Sequence, residues 1–166
     1  AEVFPMALGE RPGLMDLFGA SGPSASLVKG WAGYSPRHVQ KVTVTTLDRI
    51  LAGSYAGERL VVKIDVEGAE HGVLVGARAL LERTPKPAWL LEVCLQEFHP
   101  EGANPDFLPV FELFFSAGYA AFVVGGSLAP VSREQVLAWW RHGRTDGGGF
   151  NYLFVGPDHP LRGVPA

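Results

Sequence analysis

The sequence predicts an α/β domain in which helices cover a mostly parallel β-sheet. Segments with the composition of strands alternate along the chain with segments of helical periodicity, an order typical of this fold class. The segment 60–66 is apolar on both faces, like a strand buried inside a parallel sheet. A helix with an apolar stripe over 69–83 and a second buried strand over 88–95 follow it. These three segments predict a β-α-β unit, whose crossover we expect to be right-handed.

The N-terminal part of the chain predicts short extended segments separated by turns. Residues 2–8 and 14–18 have the composition of strands, whereas residues 19–36 are rich in glycine, serine and proline and predict a loop. β-Branched residues alternate over 42–45, which predicts an extended segment. Thr46 then stands where the N-cap of a short helix belongs. These elements lead into the β-α-β unit.

The C-terminal part continues the alternation of helices and strands. It predicts a helix over 107–117, a strand over 119–124, a helix over 132–142 and a last strand over 150–155. At 166 residues and 17.8 kDa, the chain is long enough for one domain with a hydrophobic core and too short for two ordinary domains. We therefore expect residues 1–166 to form a single domain.

Composition excludes several classes of function. Lys and Arg number 14 against 17 Asp and Glu, so the formal net charge of −3 provides no basic field for nucleic acid or an anionic membrane. The apolar runs are far shorter than the about 20 residues that a membrane-spanning helix needs. The single cysteine, Cys94, predicts neither an internal disulfide nor a thiolate metal cluster. These features predict a cytoplasmic protein without nucleic-acid or membrane partners.

The end of the strand 60–66 carries the first candidate site residues. In an open parallel sheet, ligands bind beyond the carboxyl ends of the strands. Asp65 and Glu67 are two residues apart on an extended segment, so their carboxylates share a side, and Gly68 permits a tight turn. Three acids at one strand end concentrate like charge, which favours a functional role for Asp65. Glu67 and Glu70 have an alternative structural role at the positive end of the next helix, which we prefer for Glu70.

The end of the strand 88–95 carries the second set of candidates. Glu92 lies in an apolar stretch and needs a partner, and a structural pair with Lys63 on the neighbouring strand is the obvious one. His99 follows the strand and is either a general base near neutral pH or a surface residue. The histidines have no metal-ligand spacing, and two acids with one histidine are an incomplete ligand set. We therefore expect no metal site, which also excludes a metal-dependent hydrolase.

Several of these segments together resemble the FkbM family of S-adenosylmethionine-dependent methyltransferases. They are Val-Thr-Val-Thr-Thr-Leu-Asp-Arg-Ile-Leu at 42–51, Val-Lys-Ile-Asp-Val-Glu-Gly-Ala-Glu at 62–70, Val-Leu-Val-Gly-Ala at 73–77 and Leu-Leu-Glu-Val at 90–93. Met-Ala-Leu-Gly at 6–9 with Gly13 resembles the segment after the third strand of the family, and residues 151–155 resemble its closing strand. The resemblance spans nearly the whole chain.

The resemblance implies a fold and a set of site residues. The implied fold is the Rossmann-like class I methyltransferase sheet, mostly parallel with an antiparallel last strand. The chain would be the C-terminal two-thirds of that domain, without its first two strands and their glycine-rich turn, and residues 2–8 would be its third strand. The cofactor S-adenosylmethionine would contact Ala7, Leu8 and Asp65. Asp65 and Glu67 would lie at the methyl-transfer end, with Glu92 and His99 as further catalytic candidates.

The resemblance also implies a function. We expect an S-adenosylmethionine-dependent O-methyltransferase that acts on a hydroxyl of a sugar, glycan or secondary metabolite. Its partners would be this small-molecule or glycan acceptor and, in a homo-oligomer, further copies of the chain. The alternative is a non-catalytic binding or assembly module derived from a methyltransferase fold. The absent glycine-rich turn favours this alternative, whereas the acids retained at the strand end favour the enzyme.

Overall fold

The computed structural model describes residues 2–19, 22–35, 37–51, 53–125, 127–146 and 149–163. These residues form a mixed α/β structure with one sheet of three strands and one of five. Among these residues, no helix has both the length and the apolar character needed to cross a membrane.

The smaller sheet contains β1 (Ala7–Leu8), β2 (Gly13–Phe18) and β3 (Val39–Thr45) in the order β1-β3-β2. β1 is parallel to β3, and β2 is antiparallel to it. The strand predicted over residues 2–8 is therefore wrong in length, because Pro5 has no N–H to donate and the Met6 N–H bonds the Phe4 carbonyl in a local turn. β1 also lies outside the five-stranded sheet, so the expectation that residues 2–8 form the third strand of the sheet that contains β4 and β5 is wrong.

The larger sheet contains β4 (Val61–Ile64), β5 (Ala88–Glu92), β6 (Ala120–Val124), β7 (Leu128–Val131) and β8 (Asn151–Val155). Its strand order is β4-β5-β8-β6-β7. β4 and β5 are parallel, and the last strand, β8, is antiparallel to both β5 and β6, as predicted. β4, β5 and β6 thus run in one direction and end at the same edge of the sheet.

Three features of this sheet differ from the sequence prediction. Among its described strands only the pair β4–β5 is parallel, so the sheet is not mostly parallel, because β7 and β8 run against the other three strands. β7 was not predicted, because Pro130 argues against a strand; the structure tolerates it since β7 lies at the edge of the sheet. β4 was predicted to be buried on both faces, but it forms the other edge, where Val61 is 80% exposed and Lys63 is also exposed. Only Ile64 of β4 is buried.

The helices are α1 (Leu47–Leu51), α2 (Glu70–Val75), α3 (Arg78–Glu82), α4 (Phe107–Ser116) and α5 (Arg133–His142). The predicted cap before α1 is confirmed, because the Thr46 hydroxyl oxygen accepts a hydrogen bond from the Arg49 N–H at 3.2 Å. Ser132 caps α5 in the same way through the Gln135 N–H.

The single helix predicted over 69–83 is two helices, α2 and α3. Gly76 packs against the turn after β1 so closely that a Cβ there would lie 2.2 Å from the Gly9 carbonyl oxygen. Ala77 leaves helical geometry at φ −125°, and α3 then starts at Arg78 with the N–H groups of Ala79 and Leu80 in its first turn bonded to the Asp48 carboxylate. The apolar periodicity continues through both helices, so the sequence pattern does not reveal the break.

The core of the larger sheet is aromatic. Phe107, Phe111 and Phe114 of α4 pack on Tyr152 and Phe154 of β8, and all five side chains are fully buried. Phe114 and Phe154 are stacked with 3.8 Å between ring centroids. Phe114 also meets Trp89 of β5 edge-on at 5.7 Å between ring centroids, so α4 packs across both β5 and β8.

Candidate functional site

Three of the predicted catalytic carboxylates meet where β4 and β5 end. Ile64 is paired with Leu91 in the parallel register, so the next residues along the two strands, Asp65 and Glu92, are neighbours. Glu67 lines the same cleft, together with Trp31, Glu70 and Cys94. The cleft volume is about 10 Å³, roughly that of a single water molecule. The structure thus brings Asp65, Glu67 and Glu92 together in a narrow acidic cleft.

Asp65 is the exposed member of this group. Its carboxylate forms an ion pair with the Lys63 ammonium two residues earlier on the same face of the chain. The predicted pair of Lys63 with Glu92 is wrong as a direct contact between described residues, because Lys63 pairs with Asp65, and Lys63 and Glu92 interact only through their charges. The hydrogen bond and charge of Asp65 raise the pKa of Lys63, which keeps the ammonium protonated.

Glu92 is half-buried beside the other acids. Burial raises the pKa of its carboxyl, and the negative charges of Asp65 and Glu67 raise it further, while the Lys63 ammonium opposes them. A carboxylate with a raised pKa accepts a proton more readily than an isolated one. This raised pKa suits Glu92 to the role of a general base.

Glu67 occupies a strained turn that a distant loop holds in place. Its φ is +56°, in the left-handed region that non-glycine residues rarely adopt. The Trp31 indole Nε1–H donates a hydrogen bond to Glu67 Oε2 at 2.6 Å, and the Ser26 hydroxyl donates one to the Glu67 carbonyl oxygen. The following residue, Gly68, has φ +92°, and a Cβ there would lie 2.4 Å from Trp31 Cζ3. Only glycine therefore fits beneath the Trp31 ring.

Glu70 has the structural role preferred from the sequence, although by a different contact. Its side chain is only 3% exposed, and its Oε1 accepts a hydrogen bond from the Gly68 N–H at 2.9 Å. Burial raises the pKa of Glu70 to about 7, and the charge of Glu67 adds to this, while hydrogen bonds from backbone N–H groups oppose it. The carboxyl closes the turn between β4 and α2.

Cys94 lines the cleft with a buried thiol. Burial and the surrounding carboxylates, with Glu92 the largest contributor among them, raise the pKa of the thiol to about 12. The thiol is therefore protonated at neutral pH, whereas catalytic cysteines act as thiolates.

His99 lies beside the cleft and not among its lining residues. Its ring meets the Trp31 ring edge-on at 6.2 Å between centroids, and its Nδ1 accepts a hydrogen bond from the Glu101 N–H at 3.4 Å. The neighbouring Phe98 is 53% exposed at φ +66°, with its carbonyl bonded to the Ala32 N–H at 2.8 Å. Phe98 also contacts Trp31 and Phe150. The rings of Trp31, Phe98 and His99 thus form an aromatic cluster beside the acidic cleft.

The sequence alone does not indicate Trp31 and Phe98 as site residues. Trp31 lies 36 residues before its partner Glu67, and no local pattern predicts that contact. The available signal was the presence of a large aromatic residue in an otherwise glycine- and serine-rich loop. Such an anchor needs a binding surface elsewhere in the fold.

The three predicted cofactor residues line three different cavities. Leu8 lines a cavity of about 400 Å³ that also contacts Gly9, Gly68 and Gly72. Ala7 lines a separate cavity of about 420 Å³ beside Lys41 and Thr43, and Asp65 lines the acidic cleft. The turn at Glu67 and Gly68 lies between the acidic cleft and the Leu8 cavity.

The Leu8 cavity has a mixed lining. Its apolar members are Leu8, Leu14, Met15, Leu27 and Val28, and its charged members are Glu10, Arg11 and Asp106. A volume near 400 Å³ lies in the range of small-molecule sites. In the described part of the chain, no three His, Cys, Asp or Glu side chains are grouped so that they could hold a metal ion.

Comparisons with known proteins agree with the resemblance noted in the sequence. A family model described as "Methyltransferase FkbM domain" matches residues 7–121, which is more than half of the chain. This match includes the acidic cleft and the turn that follows β4. Neither the curated proteins nor the solved structures include a match to the chain. The chain therefore belongs to the FkbM methyltransferase domain family.

Proposed function

We propose that the protein is an S-adenosylmethionine-dependent O-methyltransferase that acts on a hydroxyl of a sugar, glycan or secondary metabolite. The observation that carries the proposal is the convergence of Asp65, Glu67 and Glu92 at the ends of two parallel strands, within the segment that matches the family. In open α/β sheets, this edge is where ligands bind.

The strand directions support a finer proposal for the fold. We propose that β4, β5, β6 and β8 correspond to the C-terminal part of the class I methyltransferase sheet. β4, β5 and β6 share one direction, and β8 is antiparallel to β5 and β6. An antiparallel last strand is the feature that the family resemblance implies.

The lining of the Leu8 cavity fits the chemical groups of the cofactor. Its apolar side chains suit the adenine ring, and the carboxylates of Glu10 and Asp106 are acceptors for ribose hydroxyls. The Arg11 guanidinium suits the carboxylate of the methionine part. Leu8 is therefore the cofactor residue that this cavity supports, and the roles of Ala7 and Asp65 remain predictions. When bound, S-adenosylmethionine supplies the methyl group.

The residues of the acidic cleft orient the hydroxyl of the acceptor and accept its proton. The carboxylates of Asp65 and Glu67 accept hydrogen bonds from neighbouring hydroxyls of the acceptor and thereby orient the reacting hydroxyl. Burial and neighbouring charges raise the pKa of the Glu92 carboxyl. Its carboxylate takes the proton of the acceptor hydroxyl as the hydroxyl oxygen becomes methylated. His99 would act only after movement toward the cleft, since the Trp31 ring lies against it.

One observation favours the alternative of a non-catalytic module. The acidic cleft has room for roughly one water, so an acceptor must bind over its mouth and not within it. Methyl transfer and cofactor binding distinguish the enzyme from the non-catalytic module.

The exposed edge of β4, where Val61 is 80% exposed, supports self-association of the chain into a homo-oligomer.

The test is methyl transfer from methyl-labelled S-adenosylmethionine to a panel of hydroxylated acceptors. Asp65→Asn should lower the rate at least about 100-fold, because it removes a carboxylate that orients the hydroxyl. The melting temperature should change by only a few degrees, since the Asp65 side chain is exposed and its ion pair lies at the surface.

Asp16→Asn is the matched control, because Asp16 forms a similarly exposed ion pair with Lys41 away from the cleft. It should retain full activity. Equal activity of Asp65→Asn and the wild type would contradict the proposed role, and a large loss of stability in Asp65→Asn would make Asp65 a structural residue.

A further inference from the structure

The Trp31 indole is aimed at one atom of the acidic cleft. Trp31 is only 3% exposed, and its Nε1–H donates a short hydrogen bond to Glu67 Oε2 at 2.6 Å. The indole carries no charge, so this bond orients the carboxylate without neutralising it. Asp65, in contrast, has the Lys63 ammonium as its partner.

The same ring fixes the backbone that carries Glu67. The Trp31 six-membered ring lies directly on Gly68, at the place where a Cβ would overlap it. The Ser26 hydroxyl, which is also buried, donates to the Glu67 carbonyl oxygen. Glu67 is thus held at its side chain, at its carbonyl and at the next residue. A non-glycine residue with positive φ persists only where its surroundings hold it in this way.

The geometry also shows what Trp31 prevents. Glu67, Asp65 and Glu92 line one narrow cleft, and the negative charges of neighbouring carboxylates repel each other. Without the indole donor, the Glu67 side chain would be free to turn away from the other carboxylates toward water. A held Glu67 keeps all three carboxylates directed at the same small volume.

We infer that Trp31 is a positioning residue that holds the Glu67 carboxylate in the orientation required for methyl transfer. This inference rests on the proposed function. Trp31 acts through Glu67 and not on the acceptor itself, because the indole donor is occupied by Oε2. The loop 22–35 therefore contributes a positioning residue to the site and does not only connect β2 to β3.

The activity test compares Trp31→Phe with Trp139→Phe. Both changes keep an aromatic ring and remove an indole N–H that donates to a carboxylate, since Trp139 Nε1 donates to Asp146 Oδ2 at 2.7 Å away from the cleft. Trp31→Phe should lower kcat about tenfold and leave the KM for S-adenosylmethionine within about twofold. Trp139→Phe should leave kcat within about twofold. Equal kcat values for Trp31→Phe and the wild type would overturn the inference.

A double-mutant cycle tests whether Trp31 acts through Glu67. If it does, Trp31→Phe should lower kcat no further in the Glu67→Gln background, because the carboxylate it positions is already absent. If Trp31 has only a structural role, the two losses should multiply, which would overturn the inference.

A third readout does not depend on activity. In nitrogen–proton NMR spectra, Glu67→Gln should move the indole N–H resonance of Trp31 and leave that of Trp139 in place. An unmoved Trp31 resonance would overturn the contact itself. If the wild type transfers no methyl group, the proposed function and the catalytic part of this inference both fail, and the resonance still decides whether Trp31 holds the carboxylate.

Discussion

At the scale of single residues, the Glu70 carboxyl at the acidic cleft makes the stability of the fold depend on pH. Its carboxyl is buried and closes the turn after β4 through the Gly68 N–H. Burial raises its pKa from 4.5 to about 7, so the folded chain retains the proton over a pH range in which the unfolded chain has lost it. A folded state that binds more protons loses stability as the pH rises.

The expected pH window follows from these two values. Below pH 4.5 the Glu70 carboxyl is neutral in both states, and above about pH 7 the folded chain must hold a buried charge. The free energy of unfolding should therefore fall by about 3 kcal/mol between these limits. Glu70→Gln should remove most of this fall, because the amide keeps a hydrogen-bond acceptor without the charge. Urea denaturation at pH 5, 6, 7 and 8 measures it.

Glu58→Gln is the control for this prediction, since Glu58 is exposed. Its free energy of unfolding should follow that of the wild type at every pH. If Glu70→Gln kept the pH dependence of the wild type, the charge of Glu70 would not be its cause.

The sequence predicted part of the site at this scale. The spacing of Asp65 and Glu67 after an apolar strand, and Glu92 in the next strand, indicated acids at one sheet edge, and the structure brings them together. It did not predict Lys63 as the partner of Asp65 or Trp31 as the partner of Glu67. These contacts depend on side-chain direction and on loop placement, neither of which leaves a periodic pattern.

At the scale of elements, the turn from β4 to α2 is the most constrained part of the site. Gly68 meets two separate requirements, a positive φ of +92° and the absence of a Cβ beneath Trp31. Gly57 meets only the first, with φ +77° and no atom within 4 Å of its ideal Cβ position. A comparison of the same substitution at Gly57 and at Gly68 therefore separates the cost of backbone strain from the cost of steric overlap.

Gly68→Ala should therefore destabilise the protein more than Gly57→Ala. Gly57→Ala should cost about 1–2 kcal/mol, the ordinary cost of a left-handed alanine. Gly68→Ala should add about 1–3 kcal/mol for displacing the Trp31 ring and should also lower methyl transfer. Chemical denaturation of both variants gives the difference. Equal costs would show that Trp31 moves away freely and would contradict a rigid turn.

Most elements could be predicted from the sequence, and each exception has a physical reason. The helix predicted over 69–83 ends before Gly76 and restarts at Arg78, where the distant Asp48 carboxylate accepts hydrogen bonds from the N–H groups of Ala79 and Leu80. β7 contains a proline that only an edge strand tolerates. Both reasons concern neighbours distant in sequence, and periodicity reports only the local chain.

At the scale of the whole molecule, the two sheets have different roles in the proposed enzyme. The five-stranded sheet has the aromatic core and presents the acids at the ends of β4 and β5. The chain around the three-stranded sheet provides Leu8 and the loop that carries Trp31. The turn at Glu67 and Gly68 is where these two parts of the molecule meet.

The burial of β4 could not be predicted from its sequence. An apolar strand such as Val61–Ile64 is typical of a sheet interior, yet position in the sheet decides exposure, and β4 lies at an edge. The direction of the last strand could be predicted, through the family resemblance and not through composition.

The central claim is that this chain is a methyltransferase that uses S-adenosylmethionine. The most direct measurement is calorimetric titration of the chain with S-adenosylhomocysteine, the product form of the cofactor, with folding confirmed by circular dichroism. We expect saturable binding with a micromolar Kd, weakened at least about tenfold by Arg11→Ala through loss of a charge-assisted contact. A folded chain that releases no binding heat would contradict the claim and favour the non-catalytic module.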